Sequence, residues 1–226
     1  MLILSVDTTA PFGSVALTAH GKLLAEWNSE SRLTHSERLL PAIDFILKSQ
    51  GCGISDVEAY AVAAGPGSFT GIRIGLSLVK SFAFASGKPV APVSTLKALA
   101  LKLIQPQGRL ICPLLDARKG EVYAALFEQR RQNLVEIVPQ GVYTPDRFLS
   151  MLPGGRMISF IGSGVELFKD KIFDYLQDKA RLSSRSVFLA YEVGVLGYRI
   201  IKEGKGLDFR EVQPLYFRKS QAEEKN

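Results

Sequence analysis

Short apolar runs of strand length alternate with helical stripes along this chain, and glycine, proline or aspartate marks nearly every change between them. Leu2 to Val6 reads as a strand, broken by Asp7-Thr-Thr-Ala-Pro-Phe-Gly13. Ser14 to Ala19 follows as a second strand, His20-Gly21-Lys22 as a turn and Leu23 to Trp27 as a third strand, which makes a three-stranded meander. Thr34-His-Ser-Glu37 has capping-box spacing and predicts a helix from near His35, with Leu39, Ile43, Ile46 and Leu47 on its apolar side. Pro41 is expected to kink that helix or shift its start, and Gly51 and Gly53 end it. Tyr60 to Ala64 is the next strand, Gly65-Pro66-Gly67 a tight turn, and from Gly71 the residues Ile72, Leu76, Val79 and Ala83 mark one face of a second helix.

An extended stretch from Gly87 to Val93 and a helix from Ser94-Thr95 to about Leu103 complete this half, and Gln105-Pro-Gln-Gly108 reads as a linker. Beyond it the pattern returns. Leu110 to Leu115 is an apolar strand ending in Asp116, Glu121 to Leu126 a second and Leu134 to Val138 a third, so the meander with an aspartate closing its first strand occurs twice. The expected organisation is therefore an N-terminal lobe over 1–104 and a C-terminal lobe over 105–226. A short helix from Thr144, a strand from Met157 to Gly162 and a helix through Phe168 follow. Val187 to Lys202 reads as the longest helix of the second half, Glu211 to Arg218 as an extended tail, and Lys219 to Asn226 as a polar, frayed end.

At 226 residues, with 46% hydrophobic and 22% charged residues, the composition is that of an ordinary globular chain with room for two lobes. No apolar run has membrane-spanning length, and Met1 leads into a strand with no basic leader, so the expectation is a cytoplasmic protein without a membrane partner. The net charge of +6 is spread over both halves and forms no basic arm. Cys52 and Cys112 lie far apart and lack metal-site spacing, which reads as two free thiols.

Three features carry candidate chemistry. The turn from Gly65 to Gly75 runs a strand into a helix N-terminus, a place that favours anions, but it lacks both the dinucleotide pattern and the Gly-Lys-Ser/Thr ending of a P-loop. Gly71 and Gly75, four apart on one helix face, therefore serve either phosphate contact or the close approach of another helix. Asp7, followed by Thr8 and Thr9, and its counterpart Asp116 have the chemistry to hold a phosphate or hydrated magnesium across a cleft, or else they cap the turns they sit in. His35 has Leu39 four residues on and no second histidine nearby, which argues against a metal centre, and no nucleophile motif is present.

Taken together, Ile3-Leu-Ser-Val-Asp-Thr-Thr9, His35-Ser-Glu-Arg-Leu-Leu-Pro41, Gly65-Pro-Gly-Ser-Phe-Thr-Gly-Ile-Arg-Ile-Gly75, Asp116-Ala-Arg118 with Glu121-Val-Tyr123, and Pro214-Leu-Tyr-Phe-Arg218 resemble the TsaB family, formerly YeaZ. The resemblance runs along essentially the whole chain. It implies a two-lobed α/β fold of the actin-like ATPase superfamily (ASKHA, ribonuclease H-like), with duplicated βββαβα lobes. It also implies a role in making threonylcarbamoyladenosine beside the anticodon of bacterial tRNAs. In that family the sister subunit TsaD performs the transfer and holds a metal through a His-x-x-x-His pair. The resemblance thus implies a non-catalytic subunit that pairs with a TsaD-like transferase, or with itself as a homodimer. A TsaE-like ATPase and tRNA would join the complex, with ATP and metal on the partners and no cofactor bound by this chain alone.

The implied pairing helices run from about Ser36 to Leu47 and from about Gly71 to Ala85. The expected contact residues are His35, Leu39, Ile43, Ile46, Gly71, Gly75, Leu76 and Val79, packed as a four-helix bundle between two molecules. Asp7, Thr8, Thr9, Gly67 and Asp116 are the candidate vestigial nucleotide or phosphate site. Two other functions stand beside this one: an independent ATPase or sugar-kinase-like enzyme using Asp7 and Asp116, and, more weakly, a glycoprotease-like metalloprotease.

Overall fold

A computed structural model describes residues 1–30, 34–105, 109–131 and 133–218. Of the linker read at Gln105-Pro-Gln-Gly108, the last three residues lie outside the described residues, as does the tail from Lys219 to Asn226. The first elements are β1 (Leu2–Asp7), β2 (Gly13–Ala19), β3 (Lys22–Ser29), α1 (His35–Ser49), β4 (Ala59–Gly65), α2 (Phe69–Ser86), β5 (Val90–Ser94) and α3 (Thr95–Leu101). They are followed by β6 (Leu110–Asp116), β7 (Val122–Arg130), β8 (Asn133–Tyr143), α4 (Pro145–Ser150), β9 (Ile158–Ile161), α5 (Gly164–Leu167), α6 (Lys169–Leu176), β10 (Ala180–Leu182) and α7 (Ala190–Lys202). No helix among the described residues is long and apolar enough to cross a membrane.

Two five-stranded sheets share one topology. The first runs β3-β2-β1-β4-β5 and the second β8-β7-β6-β9-β10. In each, the first three strands pair antiparallel and the last two join parallel. The duplication legible in the two meanders is therefore a duplication of whole sheets.

The division of the chain differs from a single boundary near Gln105. One unit takes Met1–Thr95 together with Phe188–Tyr216, and the other takes Leu96–Val187 with Phe217 and Arg218. The reason is the chemistry of α7. One face of the first sheet is lined by small side chains, and α7 lies against it through glycines. A Cβ on Gly197 would come within 2.5 Å of the Ala61 Cβ, and one on Gly194 within 2.9 Å of the Ser5 Oγ. Ser5 Oγ donates to the Ala190 carbonyl at 2.7 Å, and Ser14 Oγ accepts from the Ala190 amide at 3.0 Å. The chain then returns along the sheet. Leu207 and Val90 exchange backbone hydrogen bonds, and the Leu215 amide donates to the Ala64 carbonyl at 2.7 Å.

The opposite face of this sheet is larger and apolar. Leu4, Val6, Val15, Leu17, Tyr60 and Val62 pack beneath α1 and α2, which contribute Leu39, Ile43, Ile46, Ile72, Leu76 and Val79. Burying each of those helix side chains contributes about 1.5–3 kcal/mol. In α1 the Glu37 carboxylate reaches back to the Thr34 amide at 2.8 Å, as the spacing predicts. The Thr34 hydroxyl donates to the same carboxylate at 2.6 Å, and the Glu37 amide goes to the Thr34 carbonyl instead. Pro41 lies inside the helix on its exposed side, where water can serve the carbonyl its ring leaves unpaired.

The second unit repeats the plan. Leu110, Cys112, Leu114, Val122, Ala124 and Leu126 form one face of its sheet, packed with Phe148 and Leu149 of α4 and Ile172 and Leu176 of α6. Arg218 donates to the Ala117 carbonyl at 3.1 Å and pairs with Glu121.

Candidate functional site

The turn after β1 and the turn after β4 close on each other. Asp7 is buried, and its Oδ1 accepts from the Thr9 amide at 2.9 Å and the Thr9 hydroxyl at 2.7 Å. The Thr8 hydroxyl donates to the Gly71 carbonyl at 2.7 Å, and the Ser68 amide donates to the Thr9 carbonyl at 2.7 Å. Ser68 Oγ caps α2 by accepting from the Gly71 amide at 3.2 Å. At the N-terminus of α2, where sequence reasoning left room for a phosphate, the Gly71 amide is thus taken by Ser68 Oγ and the Ser68 amide by the Thr9 carbonyl.

The glycines of α2 are explained by the same contact. A Cβ on Gly75 would stand 2.5 Å from Thr8 Oγ1, one on Gly67 would stand 2.5 Å from the Thr9 carbonyl oxygen, and one on Gly71 would run into the Thr8 carbonyl. Gly71 and Gly75 are small so that α2 can meet the end of β1 in their own unit. They do not face outward toward another helix, which corrects the sequence expectation.

In the second unit Asp116 does what Asp7 does in the first. Its Oδ1 accepts from the Arg118 amide at 2.7 Å, closing a β6–β7 turn in which Arg118, Lys119 and Gly120 all have positive φ. Both aspartates therefore cap their turns through Oδ1, and Asp116 Oδ2 also lies 4.0 Å from the Arg118 guanidinium. No group of three or more His, Cys, Asp or Glu able to hold a metal occurs among the described residues.

His35 is drawn into its own unit. The Arg38 guanidinium donates to its Nδ1 at 2.9 Å, so Nε2 carries the proton and donates to the Ala10 carbonyl at 3.0 Å. Burial, and then the Arg38 charge, hold this imidazole below its ordinary pKa, against the Ala10 contact, which raises it. Arg38, itself buried, also donates to the Pro11 carbonyl at 2.8 Å. Together they pin the start of α1 to the β1–β2 turn.

The apolar residues expected to meet a partner are mostly turned inward: Leu39, Ile43, Ile46, Leu76 and Val79 are all buried in the core of their own unit. What α1 and α2 present outward is a different set. Leu40 is 54% exposed, Phe45 65% and Phe84 71%. Between the helices lies a groove of about 560 Å³, its apolar floor formed by Leu39, Leu40, Phe69, Ile74 and Leu78, with Arg73 at its edge. The signal for these residues was present in the helical phase. In α1 the stripe at 39, 42, 43, 46 and 47 points to the sheet, which leaves Leu40 and Phe45 off-stripe; in α2 the inward stripe at 72, 75, 76, 79 and 83 leaves Ile74 and Leu78 outside it.

Comparison with known proteins agrees with this architecture. The family model described as TsaD, tRNA N6-adenosine threonylcarbamoyltransferase, matches residues 29–224. The tRNA threonylcarbamoyladenosine biosynthesis protein TsaB of Bacillus subtilis is 32% identical over 100% of this chain and 97% of its own length. The structure of YeaZ from Pseudomonas aeruginosa superposes with a TM-score of 0.81 and 27% identity, covering 95% of this chain and 99% of that one. An activator of 2-hydroxyisocaproyl-CoA dehydratase from Clostridium difficile, solved with bound ADPNP, shares the fold at a TM-score of 0.51, with 10% identity over 96% of this chain and 100% of that one. That likeness is one of fold alone. With sequence similarity along its full length and the same pair of sheets, the chain belongs to the TsaB (YeaZ) family.

Proposed function

We propose that this chain is a non-catalytic subunit in the biosynthesis of threonylcarbamoyladenosine on tRNA, and that it works by docking the exposed face of α1 and α2 onto a TsaD-like transferase. In the absence of that partner the same face pairs with a second copy, and a TsaE-like ATPase completes the assembly on tRNA. ATP and metal belong to the partner subunits, and the protein works in the cytoplasm.

The observation that supports this reading best is the groove between α1 and α2, lined in part by the outward Leu40, with Phe45 exposed on α1 and Phe84 further along α2. Large apolar side chains exposed on two neighbouring helices form the kind of surface that association covers. Two further features fit a subunit without its own chemistry. His35 has Leu39 where a second metal-ligating histidine would stand, and Asp7 Oδ1 is engaged by the amide and hydroxyl of Thr9.

Reconstitution tests the proposal. Transferase, ATPase, threonylcarbamoyl adenylate and tRNA are combined with and without this chain, and modified adenosine is measured. Transfer that depends on the chain is expected; a transferase that works fully without it removes the function proposed here.

A further inference from the structure

Arg73 occupies an unusual position on the α1–α2 face. Its guanidinium lies over the Phe69 ring, 3.9 Å from the centroid, and its Nε donates to the Tyr216 hydroxyl at 3.1 Å. The Tyr216 ring stacks on Phe69 with centroids 5.0 Å apart. The stacking and the Nε bond fix the plane of the guanidinium, while among the described residues no carboxylate pairs with Arg73. Among the described residues its two terminal nitrogens have no hydrogen-bond partner, and Arg73 lines an otherwise apolar and hydroxyl-lined groove. A planar fork held this way matches the two oxygens of a carboxylate.

We infer that Arg73 is a specificity-determining contact for a carboxylate carried by the partner helix that enters the groove, an inference that rests on the docking reading above. The occupant is thus a helix of another protein, apolar along one face and bearing an aspartate or glutamate level with the start of α2. A second copy of this chain fits less well. The only acids on α1 are Glu37 and Asp44, already engaged by Thr34 and Lys48, and α2 has none. A phosphate fits less well too, because Arg73 is the single cation among the residues lining the groove. Tyr216 acts as a positioning residue, bringing the returning C-terminal segment to bear on the same face.

Titration calorimetry of the full chain with the transferase subunit, at several salt concentrations, tests this with Arg73→Gln, Arg73→Lys, Tyr216→Phe and, as a groove control, Leu40→Asp. Arg73→Gln is expected to weaken association by about tenfold and to flatten its salt dependence. Arg73→Lys restores the salt dependence but only part of the affinity, and Tyr216→Phe weakens binding with the salt dependence retained. Self-association is expected to respond less to Arg73→Gln than binding of the transferase does. If Arg73→Gln binds as the wild type while Leu40→Asp fails, the carboxylate inference is wrong and the groove stands. If both bind as the wild type, the docking reading falls and takes the inference with it. Displacement of the transferase by inorganic phosphate, or an equal effect on self-association, also overturns it.

Discussion

Replacing Gly75 by alanine puts a methyl group 2.5 Å from Thr8 Oγ1 and 3.5 Å from a methyl of Val62. The Val62 contact is ordinary, so the cost falls on Thr8. Its hydroxyl must leave the Gly71 carbonyl, to which it donates at 2.7 Å. The Gly71 carbonyl keeps its helical amide, but the buried Thr8 hydroxyl loses its acceptor, which costs about 1–3 kcal/mol, and forcing the methyl into a filled space adds about 1–3 kcal/mol more. Alanine recovers about 1 kcal/mol over glycine within a helix, so a net loss of about 1–5 kcal/mol remains. Gly71→Ala should be worse, because the obstacle there is the Thr8 backbone carbonyl, which cannot rotate away.

Urea unfolding followed by far-ultraviolet circular dichroism reads this directly, with a midpoint lower by about half to two molar for Gly75→Ala. A Thr8→Ala background removes the obstructing hydroxyl, so Gly75→Ala should there become neutral or stabilising. If Gly75→Ala is as stable as the wild type with Thr8 present, the contact between α2 and the end of β1 is misread. This prediction also revises what the sequence suggested. A bulky residue at Gly75 weakens partner binding only by damaging the fold.

Other substitutions separate folding from docking. Leu40→Asp, on the exposed side of α1, should leave the unfolding free energy within about 0.5 kcal/mol of wild type while weakening association by about 2 kcal/mol or more, as sedimentation would detect. His35 gives a pH dependence: its pKa is lowered in the folded state, so the unfolded chain takes up the proton first. Stability is therefore full above the ordinary imidazole pKa of about 6.5 and falls as pH drops through it, a slope that His35→Gln should reduce in unfolding curves at pH 5–8. Asp7→Asn keeps an oxygen to accept from Thr9 but loses the charge that a metal would need. The reconstituted complex should retain transfer with this variant, and an abolished rate would favour the enzymatic reading.

Much of the fold was legible because strand-length apolar runs, turn glycines and a capping box all acted locally. The repeated meander ending in Asp7 and Asp116 pointed to two equivalent sheets, and both formed. The return of α7 to the first sheet was not legible as a contact, since it joins Ser5 to Ala190 across the whole chain. Its trace was the spacing of Gly194 and Gly197 opposite a face of Ser5 and Ala61, which periodicity of large residues does not detect. The eight-residue α6 and three-residue β10 were too short and too polar to register. At the candidate site the sequence did not separate the inward from the outward face of α1 and α2, because both helices carry leucine, isoleucine and phenylalanine on both sides. Only the sheet beneath decides that Leu39 is core and Leu40 surface.

Titration of this chain into a fixed amount of transferase, with ATPase, threonylcarbamoyl adenylate and tRNA in excess, tests docking without catalysis most directly. The account predicts that transfer rises until the chain is stoichiometric with the transferase and then stays level, and that Leu40→Asp reaches the same level only at far higher concentration. Full activity at a small fraction of stoichiometry, or a Leu40→Asp curve that overlays the wild type, would contradict it.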